Sequence, residues 1–243
     1  MKIFITAHAI RAGGGRVTCM NILQALGQID HKNTYLIIVP DQVEYRNLNL
    51  PQQNFTLRFY KHRFGYLKRI CFDRVGLKRI IRKFSPDIIW AMGGLGVFNP
   101  PSPQIVSIQN PYAVYPRVHF GKLTLHDYLW SVAMRSAFRR QFPYVDTMIC
   151  QTHTMAKRLV EECGYHDKTL ITWKAVSTFT TRLQGPAPVP MNKEPDAFKL
   201  FYVTRYYPHK GLERLIELFD RFRSDLADCV LFITIEPDQH PKA

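Results

Sequence analysis

Apolar residues along the chain fall in short continuous runs, separated by stretches in which they recur every three or four positions. Residues 2–7 read as a buried strand. Over 16–29, Cys19, Ile22, Leu23, Leu26 and Ile29 share one helical face. Strands follow at 35–39, closed by Pro40-Asp41, and at 55–60. A basic helical stretch covers 64–84 and breaks near Gly76. Ser85-Pro86-Asp87 turns into a strand at 88–91, and a breaker run at 99–103 precedes a strand at 104–109. A long helix is expected over 123–141 and a strand over 147–151. Thr152 is placed to cap a helix over 153–163 that ends at Gly164, and a strand at 169–173 closes the series.

Strands alternating with helices predict an α/β fold built on a doubly wound parallel sheet. The unbroken apolar character of residues 88–91 suits a strand covered on both faces. The pattern lapses near Phe179. Pro186, Pro188, Pro190 and Pro195 stand in a stretch without periodicity, which reads as a linker over 179–198. It separates a first lobe, 1–178, from a strand (200–204), helix (211–222) and strand (230–235). That single βαβ unit, over 199–243, is too small to cover its own faces. It is expected to pack on the first lobe, to pair through self-association or with a complementary chain, or to open a longer domain, with an exposed edge beside 231–235.

Charge changes the picture more than composition does. The chain has 243 residues, 46% of them apolar and 21% charged, enough for a sizeable core. Yet 33 Lys and Arg stand against 19 Asp and Glu, a formal charge of +14, which predicts an anionic partner. Residues 58–83 hold ten of the cations (58, 61, 63, 68, 69, 74, 78, 79, 82 and 83) and one acid, Asp73, so this stretch carries 10 − 1 = +9. Tyr60, Phe64, Tyr66, Leu67, Ile70 and Phe72 are interleaved. A basic amphipathic helix with aromatics suits an anionic membrane surface, with Arg63, Lys68, Arg69, Lys78, Arg79, Arg82 and Lys83 as its contacts. A solvated face over an apolar core side is the plainer reading. Nucleic acid is the least favoured partner, because no recognition motif is present.

Several chemistries are excluded by spacing. Five cysteines, an odd number, form no metal or redox pattern and suggest a reduced, cytoplasmic chain. MKIFITAHAI reads as a first strand rather than a secretory leader, and no apolar run reaches membrane-spanning length. The dinucleotide fingerprint fails after Gly15, and no Gly-Lys-Ser/Thr follows it, so neither a nicotinamide site nor a P-loop is signalled. There is no Asp-x-Asp pair for Mg²⁺, no partner set for zinc around Cys163 and His166, and no G-x-S-x-G elbow.

What remains lies at strand ends. Gly13, Gly14 and Gly15 join the first strand to the first helix. They suit an anion held by helix N-terminal N–H groups, or simply a tight turn. Gly93 and Gly94 follow the strand at 88–91. If that strand adjoins the first, both glycine loops face one crevice; otherwise this is a flexible loop. The amides of Gln109 and Asn110 suit sugar hydroxyls, or Asn-Pro merely turns the chain. Arg205 and Lys210 flank the last strand-to-helix junction, where a planar fork and a point charge suit a diphosphate, or are simply two exposed cations.

The segment 199–219, KLFYVTRYYPHKGLERLIELF, resembles the strand-Gly-Arg-x-x-Pro-x-Lys-Gly-helix signature of the family 4 glycosyltransferases, which have the two-lobed GT-B fold. The glycine turn 13–15, Phe84-Ser85-Pro86-Asp87-Ile88-Ile89 and the segment 149–159 support it in order. The resemblance implies a Rossmann-like N-terminal lobe plus a partial second Rossmann-like lobe. It implies a retaining, metal-independent transferase using a nucleotide-sugar, without a further cofactor, on a saccharide or lipid-linked acceptor in cell-surface polysaccharide or glycolipid synthesis. By that resemblance Arg205 and Lys210 grip the donor diphosphate with Gly13, Gly14 and Gly15, and Gly93, Gly94, Gln109, Asn110 and His119 line the acceptor crevice. The basic segment would meet the inner face of the cytoplasmic membrane. The sequence departs from the pattern at Thr204, where a glycine normally stands, and at Gln109-Asn110, where a histidine is common. The family's later paired-glutamate segment is missing. A truncated chain, a fragment or half of a split enzyme is therefore expected, weak or inactive as a transferase by itself. The competing expectation is a non-catalytic module that binds anionic lipid or another polyanion.

Overall fold

The computed structural model describes residues 1–51, 53–61, 70–116, 124–166, 168–171, 197–204, 206–207 and 210–235. Contacts divide the chain into two units, Met1–Tyr115 with Ser131–Thr181, and Pro116–Trp130 with Arg182–Ala243. The expected linker lies almost wholly outside the described residues.

The first unit is a seven-stranded, all-parallel sheet. Its strands are β1 (Lys2–Thr6), β2 (Thr34–Pro40), β3 (Phe55–Tyr60), β4 (Ile88–Ala91), β5 (Gln104–Ser107), β6 (Thr147–Cys150) and β7 (Lys168–Ile171). They lie in the order β3-β2-β1-β4-β5-β6-β7, with Ile5 opposite Ile37 on one side and Trp90 on the other. This is the Rossmann-like doubly wound sheet that the alternation predicts. The helices are α1 (Gly13–Ile29), α2 (Val43–Arg46), α3 (Leu77–Phe84), α4 (Leu125–Arg140) and α5 (His153–Glu161).

Successive residues of the central strands feed opposite cores, as a period of two requires. Ile5, Tyr35, Ile37 and Val39 pack with Cys19 and Leu23 of α1. Phe4, Leu36 and Ile38 pack with Leu77 and Ile81 of α3. A third cluster joins Val106 and Met148 to Phe138 of α4 and Leu159 of α5. Each such side chain removed from water contributes about 1.5–3 kcal/mol before entropy is counted. Thr152 caps α5, accepting from Met155 N–H at 3.1 Å. Between α1 and β2, Asp30 closes the turn, and hydrogen bonds from Tyr35 and Asn33 hold its carboxyl well below the usual range.

Four local features differ from the periodicity. Helix α1 starts at Gly13, not residue 16, so the glycines form its first turn. The short helix α2 follows Pro40-Asp41-Gln42 where only a turn was expected. A π-helical turn, Phe72–Gly76, precedes α3 and explains the break near Gly76. Strand β5 ends at Ser107. Ile108 N–H still reaches Ile149 O, but Pro111 has no N–H and holds Asn110 extended, so the pairing stops.

The second unit carries β8 (Phe198–Tyr202), α6 (Leu212–Arg221) and β9 (Cys229–Ile233), with β8 and β9 parallel. Phe201 stacks on Phe232 at 5.0 Å. Phe198, Phe201, Ile216, Leu218 and Phe222 remain exposed. No helix among the described residues is long and apolar enough to cross a membrane.

Two buried glutamines, Gln104 and Gln141, lock the right half of the sheet; neither exposes any surface. The Gln104 amide accepts from Val97 N–H at 2.6 Å and donates to Val97 O and Tyr144 O at 3.2 and 2.8 Å. Gln104→Leu would strand those partners and should destabilise the chain by about 2–4 kcal/mol. Urea denaturation should show a lower midpoint at unchanged m-value. A second expectation concerns the thiols. Burial pushes Cys19 up to about 12 and Cys150 up to about 11, while Cys71 is exposed. The reactive form is the thiolate. Disulfide-reagent labelling at mildly alkaline pH should therefore modify Cys71 first and reach Cys19 and Cys150 only on unfolding.

Candidate functional site

The loops after β1 and β4 leave the carboxyl edge of the sheet side by side, because those strands pair directly. In an open α/β sheet this switch point is where a crevice forms. Ala12 occupies the N-cap of α1 with extended backbone (φ −153°, ψ 169°) and supplies no side-chain acceptor, and the first turn contains no acidic residue. Gly13 adopts φ +64°, which its lack of a Cβ permits. Gly13 and Gly14 are exposed. The result is a helix start whose N–H groups meet no side-chain cap, with the positive end of the helix dipole behind them. Gly15 is tighter. A Cβ there would lie 2.6 Å from Gln109 Oε1, so the Gln109 amide rests directly against the glycine turn.

Across the switch point, a Cβ on Gly93 would meet Ala9 and Ile10 at 3.4 and 3.9 Å. Gly94 is buried with φ +85°; its carbonyl accepts from Gln141 Nε2 at 3.1 Å, and Gly96 N–H donates to Gln141 Oε1 at 2.5 Å. Gln141 thus holds this loop at two backbone groups. Gly13–Gly15, Gly93 and Gln109 thus come together on one edge. Asn110 turns back on its own segment, its Oδ1 accepting from Tyr112 N–H at 3.0 Å. His119 lies outside the described residues.

On the other side of the β1 loop is a cavity of about 350 Å³. His8 and Arg11 line it from the end of β1, Pro40, Asp41 and Gln42 from the end of β2, and Tyr60 and Lys61 from the end of β3, with Arg46 of α2. His8 is buried. Its Nδ1 pairs with Thr6 Oγ1 at 2.8 Å and its Nε2 with Asp73 Oδ1 at 2.6 Å. Its ring stands edge-on to Tyr60 and Phe72, at 5.4 and 5.3 Å. Sequence reading passed over His8 among nine scattered histidines. The available signal was its place two residues beyond the first strand, on the ligand edge of an open sheet.

The other candidates stand apart. Lys210 is exposed in the second unit, where its backbone carbonyl accepts from the Tyr202 hydroxyl ahead of Gly211 and α6. Arg205 lies outside the described residues, as do Arg63, Lys68 and Arg69. On α3, Arg79, Arg82 and Lys83 are exposed and Lys78 is half-buried, while Leu77 and Ile81 face the core. Among the described residues no three His, Cys, Asp or Glu are grouped to hold a metal.

A Rossmann-like parallel sheet with glycine loops at its switch point, followed by a second parallel βαβ unit, defines an α/β protein of the GT-B type. The sequence profile of Glycosyltransferase Family 4 matches residues 12–178, and the chain belongs to that family. Comparison with curated protein sequences gives no match. Solved structures share the fold at low identity. The S. aureus MnaA–UDP structure superposes with a TM-score of 0.58 at 14% identity, over 99% of this chain and 63% of that one. UDP-GlcNAc 2-epimerase from Neisseria meningitidis, bound to UDP-GlcNAc, gives 0.54 at 12% identity, over 98% and 67%. An E. coli trehalose-6-phosphate structure bound with UDP-2-fluoro glucose gives 0.52 at 13%, over 100% and 66%. The chain thus spans about 63% of the length of the S. aureus protein.

The Gly15–Gln109 contact can be tested directly. Gly15→Ala places a methyl against the free end of a flexible side chain, in a helix that alanine favours. Stability should change by less than about 1 kcal/mol. The Gln109 side-chain amide resonances should nevertheless shift in a nitrogen–proton correlation spectrum, and an unchanged spectrum would place that amide elsewhere.

Proposed function

We propose that this chain serves a glycosyltransferase that moves a sugar from a nucleotide-sugar to a saccharide or lipid-linked acceptor, in cell-surface polysaccharide or glycolipid synthesis. The observation that carries this reading is the uncapped glycine turn of α1 meeting Gln109 at the switch point, in a chain of Glycosyltransferase Family 4. Departure of the nucleoside diphosphate builds negative charge, and stabilising that charge is the main electrostatic task of such a reaction. The first-turn N–H groups at Gly13, Gly14 and Gly15 take the diphosphate from one side. By the family resemblance Arg205 and Lys210 are further diphosphate ligands, a fork and a point charge. Gly93, Gly94, Gln109 and Asn110 form the acceptor side of the crevice, and His119 is assigned to it by the family resemblance alone. Three fold neighbours hold UDP or a UDP-sugar, which makes uridine diphosphate the first nucleotide to try. In this reading the reaction retains anomeric configuration and needs no metal. The enzyme works in the cytoplasm against the inner face of the membrane.

The exposed cations of α3 favour a second reading, a non-catalytic module that docks on anionic lipid. One experiment separates the two. UDP at about one hundred times its Kd should stabilise the chain by about 2.7 kcal/mol, seen as a raised melting temperature, and Arg205→Ala should remove the shift. If neither UDP nor GDP moves the melting temperature, while phosphatidylglycerol vesicles sediment the protein, the transferase reading falls and the docking module replaces it.

A further inference from the structure

We propose that the cavity at the ends of β1, β2 and β3 binds a small phosphomonoester, such as a phosphorylated sugar or polyol. Arg46 is neutralised by Asp41, at 2.7 Å from Nε and 2.5 Å from Nη2, and its guanidinium lies over the Phe59 ring at 5.5 Å. Arg11 and Lys61 have no carboxylate partner among the described residues, and both are exposed at the cavity. Two uncompensated cations match a dianion. A phosphomonoester is largely dianionic at neutral pH, whereas a carboxylate or phosphodiester would leave one cation unanswered.

His8 does not supply the anion contact, because Thr6 and Asp73 already engage both ring nitrogens. It serves as a fixed wall. A volume of about 350 Å³ sits at the small end of small-molecule sites and accommodates one sugar phosphate rather than a nucleic-acid strand.

Naming this ligand as the acceptor rests on the transferase reading; its binding does not. The test is titration calorimetry of the full chain with inorganic phosphate, glucose and glucose 6-phosphate. Glucose 6-phosphate should bind about tenfold or more tighter than glucose. Lys61→Gln and Arg11→Gln should each weaken phosphate and glucose 6-phosphate by about tenfold, the worth of one charge-assisted hydrogen bond. Vesicles containing phosphatidic acid identify the source. Sedimentation that depends on that lipid and is lost in Lys61→Gln places the phosphate on a membrane, and its absence beside tight glucose 6-phosphate binding places it in solution. Glucose 6-phosphate binding no tighter than glucose, or equally tight in the Lys61 and Arg11 variants, overturns the proposal. The UDP-induced shift in Lys61→Gln keeps the two readings apart. If it survives while phosphate binding is lost, both stand. If UDP never shifts the protein while the phosphate results hold, only the transferase reading is lost.

Discussion

Every candidate group in the first unit hangs from one constraint: β1 is hydrogen-bonded in parallel to β2 on one side and to β4 on the other. Parallel pairing on both sides requires crossovers that pack on both faces, and the side chains of β1 accordingly feed two cores, Phe4 into one and Ile5 into the other. The chain leaving β1 must then turn away from the chain leaving β4. His8, Arg11 and the glycine turn all fall on the path of that single loop. Gly93 faces it from the neighbouring strand, and the cavity and the glycine edge are its two flanks.

A loop that carries so much must be held still, and backbone groups do most of the holding. Ala7 N–H donates to Ile38 O at 2.8 Å, Ile10 N–H to Ala7 O at 2.8 Å, and the buried Tyr45 hydroxyl to Ile10 O at 2.8 Å. On the far side Gln104 and Gln141 do the same for residues 94–97. Each of these amides satisfies backbone groups that would otherwise be buried unpaired, so the loops keep their shape without regular structure. Binding then need not order them, which conserves affinity for the ligand.

How much of this was legible in the sequence depends on the range of the interaction. The strands and long helices follow from local periodicity, and Thr152 from its position before an apolar-patterned helix. The glycine turn was visible as three adjacent residues, although its place inside α1 was not, because Gly carries no periodic side chain. Long-range pairs left no local trace. His8 and Asp73 stand 65 positions apart. Gly15 and Gln109 meet only once β1 and β5 are set two strands apart across β4. Gln104 and Gln141 look like ordinary polar residues until the fold buries them. The π-helical turn at Phe72–Gly76 was legible only as an irregularity near Gly76.

The charge of residues 58–83 is where these threads join. As a sequence, the stretch is nine positive charges in excess, and a membrane surface is the natural partner. In the fold its ends do different work. Lys61 and Tyr60 line the cavity, Asp73 binds His8 on the cavity wall, and Arg79, Arg82 and Lys83 point outward from α3. The only acid of the stretch is therefore held against His8. One basic segment thus supplies both an outward cationic face and part of a small, electropositive chamber at the sheet edge. Charges at the chamber act on an anion held there at close range, whereas the α3 cations act across solvent, where salt screens them.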